Sequence, residues 1–271
     1  MRLLICGDVV GRSGRQVVCE ELPGLRERLD IDFAIVNGEN AAGGFGITPK
    51  ICDRLFEAGA DVITTGNHVF DQREIVPHFD REKRLLRPDN YPQATPGRGW
   101  GVFPDRRGRK VLVLHAMGRL FMDPLDDPFA FAARRLVEDG LMRTVSAIVV
   151  DFHGEATSEK MALGHFLDGR VSIVVGTHTH VPTADAQILP GGTAYQTDIG
   201  MCGDYDSVIG MKKATSVERF VRKMPTARLE AADGPATLCA TFAELDDSTG
   251  LAVRVEPVRI GGRLSASAPG R

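Results

Sequence analysis

Several protein classes are excluded by what this chain lacks. Its start, MRLLICGDVVG, has one Arg and a short apolar run, far below the roughly 20 apolar residues of a membrane span, and it has no signal-peptide cleavage pattern. No membrane association is expected. Cys6, Cys19, Cys52, Cys202 and Cys239 are odd in number and scattered without a C-x-x-C pair, which argues against a disulfide framework and against a zinc ribbon. A reduced, cytoplasmic compartment is the expectation. Neither sign of charge dominates: 33 Lys and Arg against 36 Asp and Glu leave a net charge of −3 and no broad basic footprint. Duplex nucleic acid is therefore not an expected partner, whereas a small phosphorylated ligand suits this balance. Common catalytic signatures are missing too. Gly11 and Gly14 spell neither G-x-G-x-x-G nor a Walker A loop, no H-E-x-x-H occurs, and Ser13 lacks the G-x-S-x-G context of a nucleophile elbow.

What is present begins with 271 residues, 43% of them hydrophobic, which is ample for a full core. The expectation is a single domain over residues 1–260 with a frayed, small and polar tail over 261–271. The stretch Val171 to Pro182, VSIVVGTHTHVP, organises the rest. A run rich in β-branched residues leads into Gly176, and His178 and His180 follow with only Thr179 between them. In an extended backbone, residues two apart project from one side, so both imidazoles would face one place at the end of a buried strand. That suits a metal, although two polar residues at a solvated strand end would look the same.

The rest of the chain repeats this design. Arg2 to Cys6 reads as a strand ended by Gly7-Asp8, and the helix after it, with Val17, Val18, Leu22 and Leu25 on one side, should be disturbed at Pro23-Gly24. Phe33 to Val36 is a second strand with Asn37-Gly38-Glu39-Asn40 at its end, and Gly43, Gly44 and Gly46 describe a mobile loop. Thr48 and Pro49 open a helix that stops at Gly59, and the strand Asp61 to Thr65 ends in Gly66-Asn67-His68. A helix over Asp71 to Asp80 and a Pro/Gly-rich surface stretch from Pro88 to Gly101 come next. Lys110 to His115 is a strand, Phe129 to Leu141 an amphipathic helix, and Ser146 to Val150 a strand ending in Asp151-Phe152-His153. Ser158 can cap a helix over Met161 to Leu167, closed by Gly169. Thr193 to Thr197 is extended, and Ala236 to Phe242 pairs with Leu251 to Val258 as an antiparallel hairpin through Asp246 to Gly250.

Parallel sheets built by strand and helix alternation bind ligands just outside the carboxyl ends of their strands. Asp8, Glu39, Asn67, His153, His178 and His180 all lie within a few residues of such an end. Each alone has an ordinary explanation, as Asp8 has in a turn or an N-cap. Together they point to one metal site. Oxygen and imidazole donors without thiolate favour Fe, Mn or Zn over Ca or Mg.

The ordered series GDVVG, NGEN, GNH, DFHGE and GTHTH resembles the calcineurin-like metallophosphoesterases, and more closely their YmdB-like branch of 2′,3′-cyclic-nucleotide 2′-phosphodiesterases; the likeness runs from Asp8 to at least Asp198. The resemblance implies an α/β fold, a four-layer α-β-β-α sandwich of two mixed sheets with helices outside, and a dinuclear metal centre. One metal would be held by Asp8, Glu39, Asn40 and His180, the other by Glu39, Asn67, His153 and His178, with Glu39 bridging through its two oxygens. Within the set above, the resemblance favours Fe or Mn and still admits Zn. Two positions depart from the wider superfamily. Val10 stands where a His usually follows the first Asp, so that Asn40 takes its place, and the bridge is Glu where Asp is usual. Two divalent ions would bring roughly +4, and Asp8 with Glu39 return roughly −2, leaving about +2 for a hydroxide and a phosphodiester monoanion.

The expected activity is hydrolysis of a phosphodiester. A water bridging two metals becomes hydroxide near neutral pH, its pKa lowered to about 7, and attacks in line while the metals clamp the phosphoryl oxygens. His68 is the expected proton donor to the leaving oxygen, with a supporting hydrogen-bond role as its alternative. From the resemblance, the substrate is a 2′,3′-cyclic nucleotide and the product the 3′-phosphate. Around this site, Arg12, Arg15 and Arg73 offer phosphate contacts, with surface charge the expectation for at least two of them. Asp151 is placed to orient an imidazole, His115 fits a hydrogen-bonded core position, His78 and His165 are structural, and Asp198 and Asp204 suit turns. The rivals are a (β/α)₈ amidohydrolase, whose rhythm the C-terminal hairpin breaks, a phosphomonoesterase, and a metal-containing sensor of a phosphorylated ligand that turns nothing over. Homo-oligomerisation is left open.

Overall fold

The computed structural model describes residues 1–225 and 227–270. In chain order the first half contains β1 (Arg2–Cys6), β2 (Asp8–Val9), α1 (Gly11–Arg28), β3 (Phe33–Asn37), α2 (Pro49–Glu57), β4 (Val62–Thr64), a 3-10 turn (Arg73–His78), β5 (Trp100–Pro104) and β6 (Lys110–Met117). The second contains α3 (Pro128–Glu138), β7 (Ala147–His153), α4 (Thr157–Leu167), β8 (Ile173–Thr177), β9 (Gln187–Ile188), β10 (Ala194–Gln196), β11 (Met201–Asp204), α5 (Lys213–Arg222), β12 (Ala236–Leu245) and β13 (Ala252–Gly261). They form two sheets, one ordered β2-β11-β12-β1-β3-β4 with β13 on β12, the other β5-β6-β7-β8-β10-β9. Both are mixed. β1, β3 and β4 run parallel and β12 pairs antiparallel with β1 and with β13. In the second sheet β6, β7, β8 and β10 run parallel between antiparallel edges β5 and β9.

Strand alternation sets the layers. Leu4 and Cys6 of β1 turn toward Val18, Leu22 and Leu25 of α1 and Leu55 of α2. Leu3 and Ile5, one residue out of phase, turn the other way and pack with Phe33, Ile35 and the second sheet's Val111, Val113, Val149 and Val175. On that sheet the opposite phase, Leu112, Leu114, Ile148 and Val150, meets Phe131 of α3 and Leu163 and Leu167 of α4. The order is therefore helix, sheet, sheet, helix, as the resemblance to the metallophosphoesterases implies. Each such side chain is worth about 1.5–3 kcal/mol when fully buried, so the two-phase pattern of β1 alone ties two layers to the first sheet.

Local signals account for several element ends. Thr48 Oγ1 accepts from the Ile51 N–H at 3.4 Å and Pro49 opens α2. Other expectations are corrected. α1 passes straight through Pro23 and Gly24 to Arg28: the proline removes one donor, but Leu22 and Leu25, both fully buried, hold the turns on either side. The helix expected over Asp71 to Asp80 is only a 3-10 turn with Pro77 inside it. Ser158 is exposed and does not cap α4, whose N-cap is Ala156. Nor is Pro88 to Gly101 all surface. Asn90 is buried and exchanges two hydrogen bonds with the backbone of Met117, at 2.8 and 2.9 Å, and Trp100 and Gly101 belong to β5. Past Gly261 the chain folds back on β13 where fraying was expected, with Arg259 and Ser267 exchanging backbone bonds at 2.7 and 3.0 Å; Arg271 lies outside the described residues.

Candidate metal centre

The carboxyl ends of parallel strands from both sheets converge. From the first sheet come Asp8 just after β1, Glu39 and Asn40 after β3, and Asn67 and His68 after β4; the second supplies His153 from β7 and His178 and His180 after β8. β7 and β8 run in register there, with His153 opposite Thr177. The two histidines after β8 do not share an extended backbone as expected. The strand ends at Thr177, and His178 and His180 take φ of 100° and 66°, values uncommon in residues other than glycine. The turn sends them to different sides of Glu39.

On one side Glu39, His153 and His178 offer ligand atoms within 4.8 Å of one another, and on the other Asp8, Glu39 and His180 do the same. Asn67 Oδ1 stands 3.0 Å from His153 Nε2, and Asn40 Nδ2 stands 2.9 Å from Glu39 Oε1 and 3.1 Å from His180 Nε2. All seven residues expected as ligands thus come together, with Glu39 common to both groups. The donor set fits cations for three reasons visible in the geometry. His153 Nε2 faces three lone-pair atoms at once, Asn67 Oδ1, His178 Nδ1 at 3.1 Å and Glu39 Oε1 at 3.2 Å, and one ring N–H can serve only one of them. Asp8 Oδ1 is buried without a hydrogen-bond partner, a costly state for a carboxylate. And Gly66 leaves room at the cluster that any Cβ would fill, 2.2 Å from Glu39 Oε2 and 2.3 Å from His153 Nε2.

Hydrogen bonds on the far side of the His153 and His180 rings aim a lone pair inward. Thr177 Oγ1 donates to Asp151 Oδ1 at 2.8 Å, so it accepts from His153 Nδ1–H at 3.0 Å and leaves Nε2 for the cluster. His180 Nδ1 donates to the Ile209 carbonyl at 2.8 Å, and His178 Nε2 lies 3.3 Å from Glu155 Oε2. Titration reflects the crowding. Burial pushes Asp8 up to about 6 against the pull of His180 and His153. For Glu39 burial also acts upward, but the charge and hydrogen bond of His153, with His68 and His178, outweigh it and hold the carboxyl below its ordinary range. Burial draws His153 down, yet Glu39 and Asp8 raise it to about 9, while burial and the neighbouring His153 drop His178 to about 3.

His68 borders the cluster. Its backbone N–H donates to Glu39 Oε2 at 3.2 Å, its Nδ1 lies 2.9 Å from Asp71 Oδ2, and its ring meets Phe45 edge-on at 5.1 Å. Asp151 stands behind His153 through Thr177. His115 is a core histidine held by the Asp151 carbonyl at 3.1 Å and the Thr65 N–H at 3.3 Å. Arg12 pairs with Asp233 at the surface, Arg15 donates to the Ala41 carbonyl, and Asp204 accepts from Asp206 and Gly234 in turns. Asp198 does more than close a turn. It accepts from the Thr179 N–H at 3.1 Å and from Lys160 Nζ at 2.7 Å, bracing the strained histidine turn. Sequence reasoning missed Lys160, Glu155, Thr177 and Asp71. Two had a signal: Lys160 shares helical spacing with Leu163 and Leu167 on a face otherwise apolar, and Asp71 stands three residues from His68.

A pocket of about 270 Å³ opens on the cluster, lined by Glu39, Asn40, His68, His178 and His180 together with the apolar Phe45, Ile209, Met211 and Leu229. A family model described as YmdB-like protein matches residues 4–258. The chain is 48% identical over 260 residues to the 2′,3′-cyclic-nucleotide 2′-phosphodiesterase of Bacillus subtilis (strain 168), covering 96% of this chain and 97% of that protein. Among solved structures, a hypothetical protein from Thermus thermophilus superposes with a TM-score of 0.89 at 44% identity, covering 97% of this chain and all of that one. A Mycoplasma pneumoniae protein described as a novel phosphatase also superposes with a TM-score of 0.89, at 34% identity and over 96% and 93% of the two chains.

Proposed function

This chain belongs to the YmdB-like protein family, and from that membership we propose that it is a metal-dependent phosphodiesterase that opens a 2′,3′-cyclic nucleotide to the 3′-phosphate. The observation that carries the reading is the sharing of Glu39 between two buried donor groups beside His68, at the mouth of a pocket near the lower end, about 300 Å³, of ordinary small-ligand sites. The name of the Bacillus subtilis relative supplies the substrate class. Asp8, Glu39, Asn40 and His180 would hold one ion and Glu39, Asn67, His153 and His178 the other, with Fe or Mn preferred and Zn admitted by the same donors. Bound there, the ions would supply Lewis acidity toward the phosphoryl oxygens and lower the pKa of water.

The chain's own groups do the rest. Asp71 engages His68 Nδ1, which leaves Nε2 for the pocket. As an oxygen from water joins phosphorus and the bond to O2′ breaks, His68 gives its proton to O2′ and recovers one from the water. Thr177, Glu155 and the Ile209 carbonyl keep the three imidazoles oriented throughout. All five cysteines stand as free thiols, which fits the reduced compartment we propose for the protein.

The test is a substrate panel on metal-loaded protein: 2′,3′-cyclic nucleotides, linear diesters and monoesters, with the product isomer read by chromatography. Ring opening to the 3′-phosphate is expected, and His68→Ala should lose about 10²–10⁴ in kcat while keeping its metal by elemental analysis. Turnover of monoesters alone would overturn the reading.

A further inference from the structure

The pocket lining is of two kinds, and the chemistry proposed above uses only the polar one. Its apolar Phe45, Met211 and Leu229 belong to one apolar cluster with Val10 and Met201. Phe45 is fixed there. Its flanking glycines, Gly44 and Gly46, have φ of 103° and 75°, and Gln72 Nε2 donates to the Phe45 carbonyl at 2.8 Å. A Cβ on Gly44 would come within 3.1 Å of Met211 Cε, so the loop packs directly on the methionine. Met211 and Ile209 come from a tight turn in which Val208 and Met211 exchange two backbone bonds of 2.9 Å, with Ile209 and Gly210 at φ of 46° and 92°. That turn also aims the Ile209 carbonyl at His180. The 208–211 turn thus serves both the apolar wall, through Met211, and the polar cluster, through the bond to His180.

Every polar side chain lining the pocket belongs to the donor cluster or stands on its flank, at His68, Glu155 and Thr179. Phe45, Met211 and Leu229 offer area, a ring and a thioether, with no amide, guanidinium or hydroxyl among them to read the edge of a base. A site that hydrogen-bonds its ligand rejects an analogue strongly, whereas an apolar one discriminates weakly. Every nucleobase presents a π face, so stacking on an aromatic tolerates all of them. The ring of Phe45 lies 5.1 Å from that of His68, where the ribose must be if His68 serves O2′.

We propose that Phe45, Met211 and Leu229 form the nucleobase subsite of this enzyme, one that receives the base by its face and does not select among bases. The proposal rests on the cyclic-nucleotide reading and deepens it. The test compares kcat and KM of the metal-loaded protein for the four 2′,3′-cyclic nucleotides, with Phe45→Ala and Phe45→Tyr beside the natural chain. The four should agree within about tenfold in kcat/KM. Phe45→Ala should raise KM about tenfold for all four, with a matching loss in calorimetric affinity for the nucleoside 3′-phosphates, and Phe45→Tyr should restore both. A preference above about a hundredfold for one base, or a Phe45→Ala effect confined to kcat, overturns the subsite while leaving the activity in place. No turnover of any cyclic nucleotide by the natural chain, with bis(p-nitrophenyl) phosphate still hydrolysed, overturns both readings.

Discussion

Lys160 sits on α4 at 1% exposure, its ammonium donating to Asp198 Oδ2 at 2.7 Å and to the Thr177 carbonyl at 2.8 Å. Burying two charges costs solvation that their attraction only balances, so such a pair is weak evidence for added stability; removing one partner is another matter. Lys160→Met should cost about 3–5 kcal/mol in chemical denaturation, because it strands the Asp198 carboxylate. Adding Asp198→Asn should recover a large part of that loss, and a single substitution that proves neutral would show the pair to be idle. The consequence reaches the cluster through Thr179, whose N–H rests on Asp198 between the two strained histidines. In the sequence the helical spacing of Lys160 with Leu163 and Leu167 hints at burial, but nothing local names the carboxylate that meets its ammonium. Its partner lies 38 residues away.

At the scale of elements, the ends of the strands opposite the pocket are clamped by charge. Asp32, just before β3 and 2% exposed, accepts from the Arg2 N–H at 2.9 Å and from Arg106 Nε at 2.9 Å, and faces Arg107 and Arg109 at 3.1 and 2.8 Å. Those three arginines belong to the β5–β6 hairpin, so the clamp ties one sheet to the other. Burial acts to raise the Asp32 carboxyl, but the Arg2 N–H and the guanidinium bonds outweigh it and leave it below its ordinary value. A carboxyl depressed in the folded state contributes stability that is present above its unfolded pKa, about 3.9, and is lost as pH falls through the folded value. Asp32→Asn should therefore lower the urea midpoint at pH 7, and the gap to the natural chain should close below about pH 4. A gap that stays constant with pH would assign the effect to packing. Most elements were legible from their patterns, including the hairpin of β12 and β13 and the capped start of α2. Expectations failed at Pro23, over Asp71 to Asp80, at the α4 cap, over Pro88 to Gly101 and at the tail. At Pro23 a breaker residue was weighed without knowing whether buried leucines on both sides would hold the helix, as Leu22 and Leu25 do, whereas over Asp71 to Asp80 the Pro77 inside the stretch was not weighed.

For the whole molecule, the cluster joins residues from both sheets, so cations held there would stabilise the folded chain by mass action. At free metal about a thousandfold above Kd the gain is about 4 kcal/mol, which for a chain of this size corresponds to roughly 8–16 °C in Tm. Chelation should lower Tm by that order, and re-addition of Mn or Fe should restore it. An unchanged Tm in protein shown by elemental analysis to have lost its metal would mean that the cluster does not hold it. The sequence by itself determined the alternation of strand and helix and the residue types standing at the strand ends. These follow from sterics and periodicities spanning only a few residues. Tertiary structure alone decided that Glu39 lies between two donor groups, that His178 and His180 turn apart with positive φ, that Lys160 is buried, and that Phe45 meets Met211 across the pocket. Those outcomes depend on segments far apart in the chain, such as His178 and Asp8 with 170 positions between them, and their energies exist only once one sheet is stacked upon the other.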